Sequence, residues 1–419
     1  MNSKITATGA SERIGSLDFL RGVAVLGILF INIENFAYFD SWSPWRFGFT
    51  DPVDQHTRFW VYFLTQGKFY NMFALLFGVG FYIFLERLEE KKLGIRAMDI
   101  YARRLLWLFI IGVGHAYLIW NGDVLYHYSV CGFFLFPFRS FTNQSLLGIV
   151  IFLAFIQLSD SYGVIKRRQQ SYESFAQAKD LPEDQRTDEQ LAIVEYWKNR
   201  LVKKTADTLK VDPPKETYLL GLKESHKEMQ VHKGMLYHKG LIFPSLMVMI
   251  IGILLYKQGL FTNCKKWKYY WPITLSILLV GFIINYLRFH RWTYDYNDPI
   301  LSMWEGLIFT FPKQLLGLGY ILLLNGLFQK FLLNSRLQII SNIGRMALSN
   351  YLFQNILLGL IFYGYGLAKF NQYSRLELLA FVLVIWAFQL VFSWFWLKRF
   401  SQGPMEWFWR KMTYRFFKF

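Results

Sequence analysis

A histidine stands where an apolar helix should carry none. His115 lies within RRLLWLFIIGVGHAYLIWNGDVLYHYSVCG, residues 103–132. That run opens on two arginines and stays apolar for about a membrane's depth. An ionisable group inside a spanning helix is costly, so His115 is a candidate site by default. An imidazole with an unperturbed pKa of about 6.5 suits proton transfer at neutral pH. Two roles stand open for it: general base, or neutral imidazole hydrogen-bonded between helices. Asp123 follows eight residues later, just past Asn121-Gly122. Along a straight helix the two would be about 12 Å apart. Asp123 can therefore orient His115 only if the chain folds back at Gly122.

Other polar residues also sit where lipid should reject them. The first apolar run has Asp18 and Arg21 at one end, in SLDFLRG, and Glu34 near the other, in NIEN. Asp18 and Arg21 are three apart and can pair on one helix face. Lys68 lies in TQGKFYN, Glu305 and Lys313 in the eighth run, and Asn350, Gln354 and Asn355 in the ninth. Glu34, Lys68, His115, Asp123 and Glu305 fall toward one side of the membrane, which predicts a shared polar cavity. The plainer alternative has Lys68 reaching to the surface and the acids at headgroup level. On the opposite side, Arg21 joins Lys91, Lys92, Arg103 and Arg104. Such charges can hold a phosphate, and a positive inner loop looks the same. Asn350 and Gln354 share a helical stripe, for bonding between helices or for lining a cavity. No Walker loop, GxSxG or HExxH is present, and nothing calls for a metal or a resident cofactor.

These residues need helices to position them. Of 419 residues, 54% are hydrophobic, more than the roughly 45–50% of soluble domains. The excess sits in blocks of about 18–25 residues, which predicts an all-α polytopic membrane protein. Ten spans are expected: 17–38, 60–86, 104–121, 123–139, 144–159, 237–256, 269–288, 300–327, 346–364 and 376–397. With the N-terminus inside, the short inner segments hold 22 lysines and arginines and the short outer ones 6. That asymmetry predicts both termini inside. The net charge of +17 then reflects topology and anionic lipid, and nucleic acid is excluded as a partner for want of any basic fold motif. Cys131 and Cys264 are not expected to meet.

Four regions follow: a transmembrane half over 1–159, an extracytoplasmic polar loop over 160–236, a second half over 237–397, and a cytoplasmic interfacial tail over 398–419. In the loop, Leu191, Val194, Trp197 and Leu201 recur at helical spacing. That helix is expected over the outer mouth of the bundle or as part of a plain connector. Pro312 breaks the eighth run, and no second run shows a matching break, so a transporter with paired broken helices gets weak support. In the tail, GPMEWFWR starts a helix with Pro404 and Glu406 and offers Trp407, Trp409 and Arg410 to the interface.

Several stretches resemble the YeiB-like family of bacterial integral membrane proteins, whose C-terminal part defines a domain of unknown function. They are LDFLRGVAVLGILFINI (17–33), GKFYNMFALLFGVGF (67–81), GHAYLIWNGDVLYHYSVCG (114–132), GRMALSNYLFQNIL (344–357), RLELLAFVLVIW (375–386) and QGPMEWFWR (402–410). The resemblance places the chain in the bacterial inner membrane as a multi-pass protein. The LDxLRG opening also resembles transmembrane acyltransferases of the heparan-α-glucosaminide N-acetyltransferase type. That likeness implies acyl transfer from cytoplasmic acyl-CoA to a hydroxyl or amine on the far side, with a histidine central. In that type the histidine precedes W-N-G just before the second helix. The positional match here is His56, in DQHTRFW, which lacks the W-N-G; His115 has it one helix later.

The resulting expectation assigns His115 and Asp123 to catalysis, with His56 as the alternative. Arg21, Glu34, Lys68, Glu305, Asn350 and Gln354 are assigned to substrate. Acyl-CoA is co-substrate, the acceptor is a glycan or lipid headgroup, and the other partners are the bilayer and a second copy of the chain. The rival expectation is a transporter of a polar solute without covalent chemistry.

Overall fold

The computed structural model describes residues 14–38, 51–201, 235–294, 301–331 and 338–414, and side chains throughout these except those of 200, 201, 235–241 and 331. No strand occurs among the described residues. The helices are α1 (Gly15–Ala37), α2 (Pro52–Thr65), α3 (Lys68–Glu90), α4 (Ile95–Leu118), α5 (Leu125–Leu135), α6 (Asn143–Ala178) and α7 (Asp188–Leu201). After the undescribed stretch come α8 (Met235–Lys257), α9 (Tyr270–Tyr294), α10 (Met303–Ile308) and α11 (Pro312–Phe331). The last are α12 (Gln338–Arg345), α13 (Ala347–Phe362), α14 (Arg375–Arg399) and α15 (Pro404–Tyr414).

Among the described residues, six stretches are long and apolar enough to cross a membrane: 15–37, 52–90, 143–178, 270–294, 303–330 and 375–399. Helices 242–257 and 347–362 are apolar but shorter. This is a multi-pass membrane protein. The expected fourth run, 123–139, is an 11-residue helix followed by a 3-10 turn at Phe136–Ser140, because Pro137 ends the regular helix.

α1 runs through the middle of the bundle. Its first half packs with α3, α8 and α11 around Leu20, Ala24, Met72, Leu75 and Ile250. Its last turns pack with α13 and α14 around Ile33, Phe36, Leu358, Phe362 and Val382. The end of the bundle where α1 begins is the near end below; the end where it finishes is the far end.

Two spans are broken. The run 60–86 is not one helix: α2 stops at Thr65, and α3 restarts at Lys68 after Gln66-Gly67. Gly67 has φ +77°, a left-handed conformation that a residue with a Cβ adopts only at a cost. The run 300–327 is broken likewise, at 309–311 between α10 and α11. Pro312 suits the first position of a new helix, where its missing N–H is no loss. The partner break that the sequence did not reveal is therefore at Gly67.

α6 continues to Ala178, through residues expected to begin a loop. At 36 residues it is about 54 Å long, well beyond a hydrocarbon core. α7 does not cover the bundle. It folds back on α6, burying Val194 and Trp197 against Phe175 and Ala178. Trp197 Nε1 donates to Ser171 Oγ at 3.0 Å. Arg186 closes the turn by donating to the carbonyls of Ala178, Lys179 and Leu181. Cys131 and Cys264 are both free and buried.

Candidate functional site

The site begins with a tight helical hairpin. α4 ends at Leu118, and the chain turns through Trp120–Val124 into α5. A Cβ on Gly112 would collide with the backbone of Tyr126, so only glycine lets α5 start this close to α4. The fold-back puts Asp123 Oδ1 2.9 Å from His115 Nδ1, with both side chains almost wholly buried. The two atoms are close but not aligned as a hydrogen bond. Asp123 is fixed by its other oxygen, Oδ2, which accepts from Tyr126 N at 2.9 Å. On the other side of the ring, His115 Nε2 lies 3.0 Å from Asn355 Nδ2 of α13. Asn32 of α1 donates to Asn355 Oδ1 at 3.4 Å. If Asn355 donates to Nε2, the proton of a neutral imidazole sits on Nδ1, facing Asp123. The Tyr351 ring stands 5.3 Å from the imidazole.

A cavity of about 390 Å³ runs from the near end of the bundle toward this pair, and neither His115 nor Asp123 lines it. Its deep wall includes Ile28, Phe73, Val124 and Tyr351, so one side chain separates it from His115 and one peptide from Asp123. Its length is apolar. Five arginines line it toward the near end: Arg21, Arg87, Arg104, Arg345 and Arg410, with only Asp18 and Glu406 as acids. Asp18 is paired to Arg21 at 3.0 Å. Arg103 is not in the wall; it pairs with Asp99 at 2.8 Å.

The C-terminal helix is part of this wall, not only a surface anchor. α15 packs on α4, and Trp409 Nε1 donates to the Arg104 carbonyl at 2.8 Å while the Arg104 guanidinium lies 4.0 Å over the Trp409 ring. Glu406 accepts from Leu348 N at 2.7 Å and from Ser349 N and Oγ, capping the start of α13. Burial pushes the Glu406 carboxyl above its ordinary range, and these donors pull it part of the way back. Trp407 faces outward.

The remaining predicted residues form separate groups, each with its own partners. Glu34, at the far end of α1, pairs with Arg375 of α14 at 3.3 Å. Arg375 also binds Asp54 of α2 through its side chain, and its backbone N donates to Asp54 Oδ1 at 2.7 Å. Arg58 lies beside this group, donating to Thr293 Oγ1 at 3.0 Å and stacked near Tyr62 and Trp292. Glu305 caps α10 in a box with Ser302 and pairs with Arg291. Lys68 is fully buried and donates to the Tyr62 carbonyl at 3.0 Å. Asn350 donates to Ser393 Oγ at 3.0 Å, and Gln354 donates to Gln389 Oε1 at 2.8 Å and to the Val25 carbonyl. These two amides join α13 to α14 and α1, and neither is in the cavity wall. His56 is exposed on α2, 2.8 Å from the Tyr294 hydroxyl, in a shallow hollow with Val53, Thr57, Trp60, Val61 and Leu379.

Sequence reasoning missed Tyr351 and Asn32, which look like ordinary spanning-helix residues. It also missed a buried group in which His127 Nε2 lies 2.9 Å from Ser245 Oγ and 3.7 Å from Cys131 Sγ, with the Tyr70 hydroxyl 3.0 Å from the same Ser245 oxygen. The repeated histidine after W-N-G-D was the available signal for it. No cluster able to hold a metal occurs among the described residues.

The family model described as "Protein of unknown function (DUF418)" matches residues 255–416. Asn355, Tyr351 and the α15 wall lie inside that stretch and His115 and Asp123 outside it, so the site is built from both halves of the chain. "Uncharacterized protein YxaH" of Bacillus subtilis (strain 168) is 29% identical over 98% of this chain and 97% of its own. "Uncharacterized protein YeiB" of Escherichia coli (strain K12) is 29% identical over 96% and 97%. The "Uncharacterized 39.9 kDa protein in amylase 3'region" of Bacillus acidopullulyticus is 28% identical over 96% and 94%. None of the three names states an activity, and no solved structure matches the chain. The chain is thus similar over nearly its full length to YxaH and YeiB, and its C-terminal part matches the DUF418 model.

Proposed function

We propose that the protein is a transmembrane acyltransferase, taking an acyl group from cytoplasmic acyl-CoA and passing it to a hydroxyl or amine on the other side. One observation carries the reading: an arginine-lined, apolar-walled cavity has in its wall Tyr351 and Val124, the immediate neighbours of a buried His–Asp pair. Guanidiniums suit phosphates, and Arg21, Arg104 and Arg410 would hold the nucleotide end. A volume of about 390 Å³ lies within the usual range for ligand pockets, about 300–1,000 Å³. The apolar stretch would take the pantetheine arm and acyl chain.

His115 is the general base. Its Nε2 takes the proton from the acceptor O–H or N–H once the Asn355 amide yields that position. The acceptor oxygen or nitrogen then forms a bond to the thioester carbonyl carbon, the C–S bond breaks, and the thiolate takes the proton back from Nε2. Asp123 beside Nδ1 steadies the imidazolium between the two transfers. Among the described residues no carboxylate pairs with His56, which is exposed, so His115 is preferred. The remaining expectations are kept as part of the proposal: ten spans with both termini inside, two five-helix halves, a bacterial inner-membrane location, a glycan or lipid acceptor, and no nucleic-acid partner.

The test is transfer or hydrolysis of radiolabelled acyl-CoA by purified protein in nanodiscs, with His115→Ala and His56→Ala beside wild type. Label leaving CoA in wild type and His56→Ala but not in His115→Ala supports the assignment. Loss only in His56→Ala moves the site to α2. No turnover of any acyl-CoA favours the second reading, passage of a polar solute without chemistry, which the paired helix breaks support.

A further inference from the structure

The two broken spans meet. The Lys313 side chain packs on the α2–α3 turn, where a Cβ on Gly67 would lie 2.5 Å from Lys313 Cδ. A Cβ on Gly317 of α11 would lie 3.0 Å from the Lys68 carbonyl oxygen. The first turns of α3 and α11 therefore stand side by side, both beginning inside long apolar stretches. Neither Gly67 nor any other side chain caps α3. Lys68 Nζ and the Arg288 guanidinium share the Phe289 ring, at 4.3 and 5.3 Å from its centroid.

Three cations thus gather at two helix starts, and among the described residues none of them has a carboxylate partner. Lys68 has one hydrogen bond, to the Tyr62 carbonyl. Arg288 Nη1 is shielded from solvent and has no partner. Two amide oxygens at the breaks are also buried and without partners. Gln66 Oε1 belongs to the α2–α3 turn, and Asn285 Oδ1 to a side chain whose Nδ2 donates to the Pro312 carbonyl at 2.7 Å. Gln66 is 3% exposed and Asn285 0%. Uncompensated charge at this depth is costly, and helix starts add positive potential to it. An anion removes the cost; a phosphate does so with enough oxygens to meet several donors. The two acceptors suit a hydroxyl beside that phosphate.

We propose that the paired breaks at Gly67 and Pro312 form a binding site for a glycerophosphate group, held by Lys68, Arg288 and Lys313. The group comes either from a lipid headgroup or from a free phosphoester. The site does not rest on acyl transfer, since the arginine-lined cavity has other walls.

The test uses the full-length protein in a maltoside detergent, with native mass spectrometry reading binding. The probes are phosphatidylglycerol, phosphatidylcholine and sn-glycerol 3-phosphate. Wild type is expected to retain phosphatidylglycerol over phosphatidylcholine, and Lys313→Gln or Arg288→Gln to lower that affinity about tenfold or more. Binding of sn-glycerol 3-phosphate as well identifies a free ligand; binding of the lipid alone identifies the headgroup. No preference over phosphatidylcholine overturns the site, and so does a preference that both variants keep. Should the variants fail to fold, wild type is labelled with phosphatidylglycerol carrying a photoreactive headgroup. Label on 62–71, 285–289 or 311–317 supports the site, and label confined to 80–110 and 402–414 overturns it.

Discussion

His115–Asp123 and Glu34–Arg375–Asp54 are both buried groups of ionisable residues near the far end of the bundle, and they are built oppositely. In the Glu34 group two carboxylates face Arg375, with Arg58 alongside, so charge is balanced within the group. None of Glu34, Asp54 and Arg375 lines the arginine-rich cavity. Around it, α1, α2 and α14 are drawn together, which is the work of a clamp. His115 and Asp123 are close but unaligned, and the deep wall of a cavity stands beside them. A closed ion group holds helices; the His115–Asp123 pair is incompletely bonded and lies behind Tyr351 and Val124 of the cavity wall. Burial alone does not separate chemistry from architecture, and partner count together with access does.

Arg375→Met should break the clamp outright. It would leave Glu34 and Asp54 buried with one cation fewer, a cost of about 3–5 kcal/mol. Thermal unfolding in detergent should show a large fall, with transfer activity lost only as folded protein is lost. His115→Gln should do the reverse. Turnover should fall by about 10²–10⁴-fold, while the unfolding temperature moves far less than in Arg375→Met. If the two variants shift stability equally, the distinction between the groups fails.

Asp123→Asn sharpens the same contrast. An amide oxygen can still accept from Tyr126 N, so the turn should survive. The missing charge should lower turnover about tenfold to a hundredfold, because the imidazolium formed between the two proton transfers loses the anion beside Nδ1. If stability falls and the activity per folded molecule is unmoved, Asp123 only holds the turn.

Arg410→Gln tests the opposite end of the cavity. It should raise the KM for acyl-CoA about tenfold with little change in kcat, read from steady-state kinetics. The smallest effect belongs to the clamp's edge. Ser374 caps α14 in a box with Glu377, with Oγ 3.3 Å from Glu377 N. Ser374→Ala should cost about 1 kcal/mol in stability and leave kinetics alone.

Much of this architecture was legible in the sequence, for reasons of solvent. Lipid demands apolar runs of a certain length and helical bonding within them, so the all-helical membrane class followed from composition. The same demand made His115, Lys68, Glu34 and Arg21 stand out. Their partners did not stand out. Asp54 and Arg375 sit at helix starts, where charged residues are ordinary, and lie 321 positions apart. Glu305 looked like a buried acid and proved to be a cap, because Ser302 three residues earlier takes its oxygen. Asn350 and Gln354 share a stripe in the sequence, but only packing could show that Ser393 and Gln389 receive it.

By itself the sequence determined that the chain lives in a membrane, which residues are costly there, and that Asp123 could reach His115 only through a fold-back. Those are local matters of hydropathy, helix period and turn chemistry. Tertiary structure decided which costly residues are balanced and which are not. It brought Asn355 to His115 across 240 positions, placed the α15 tail in the cavity wall, and set the break at Gly67 against the one at Pro312. Each of these depends on helices packing at distances set by small residues and on charges finding partners far along the chain, and no local pattern encodes either.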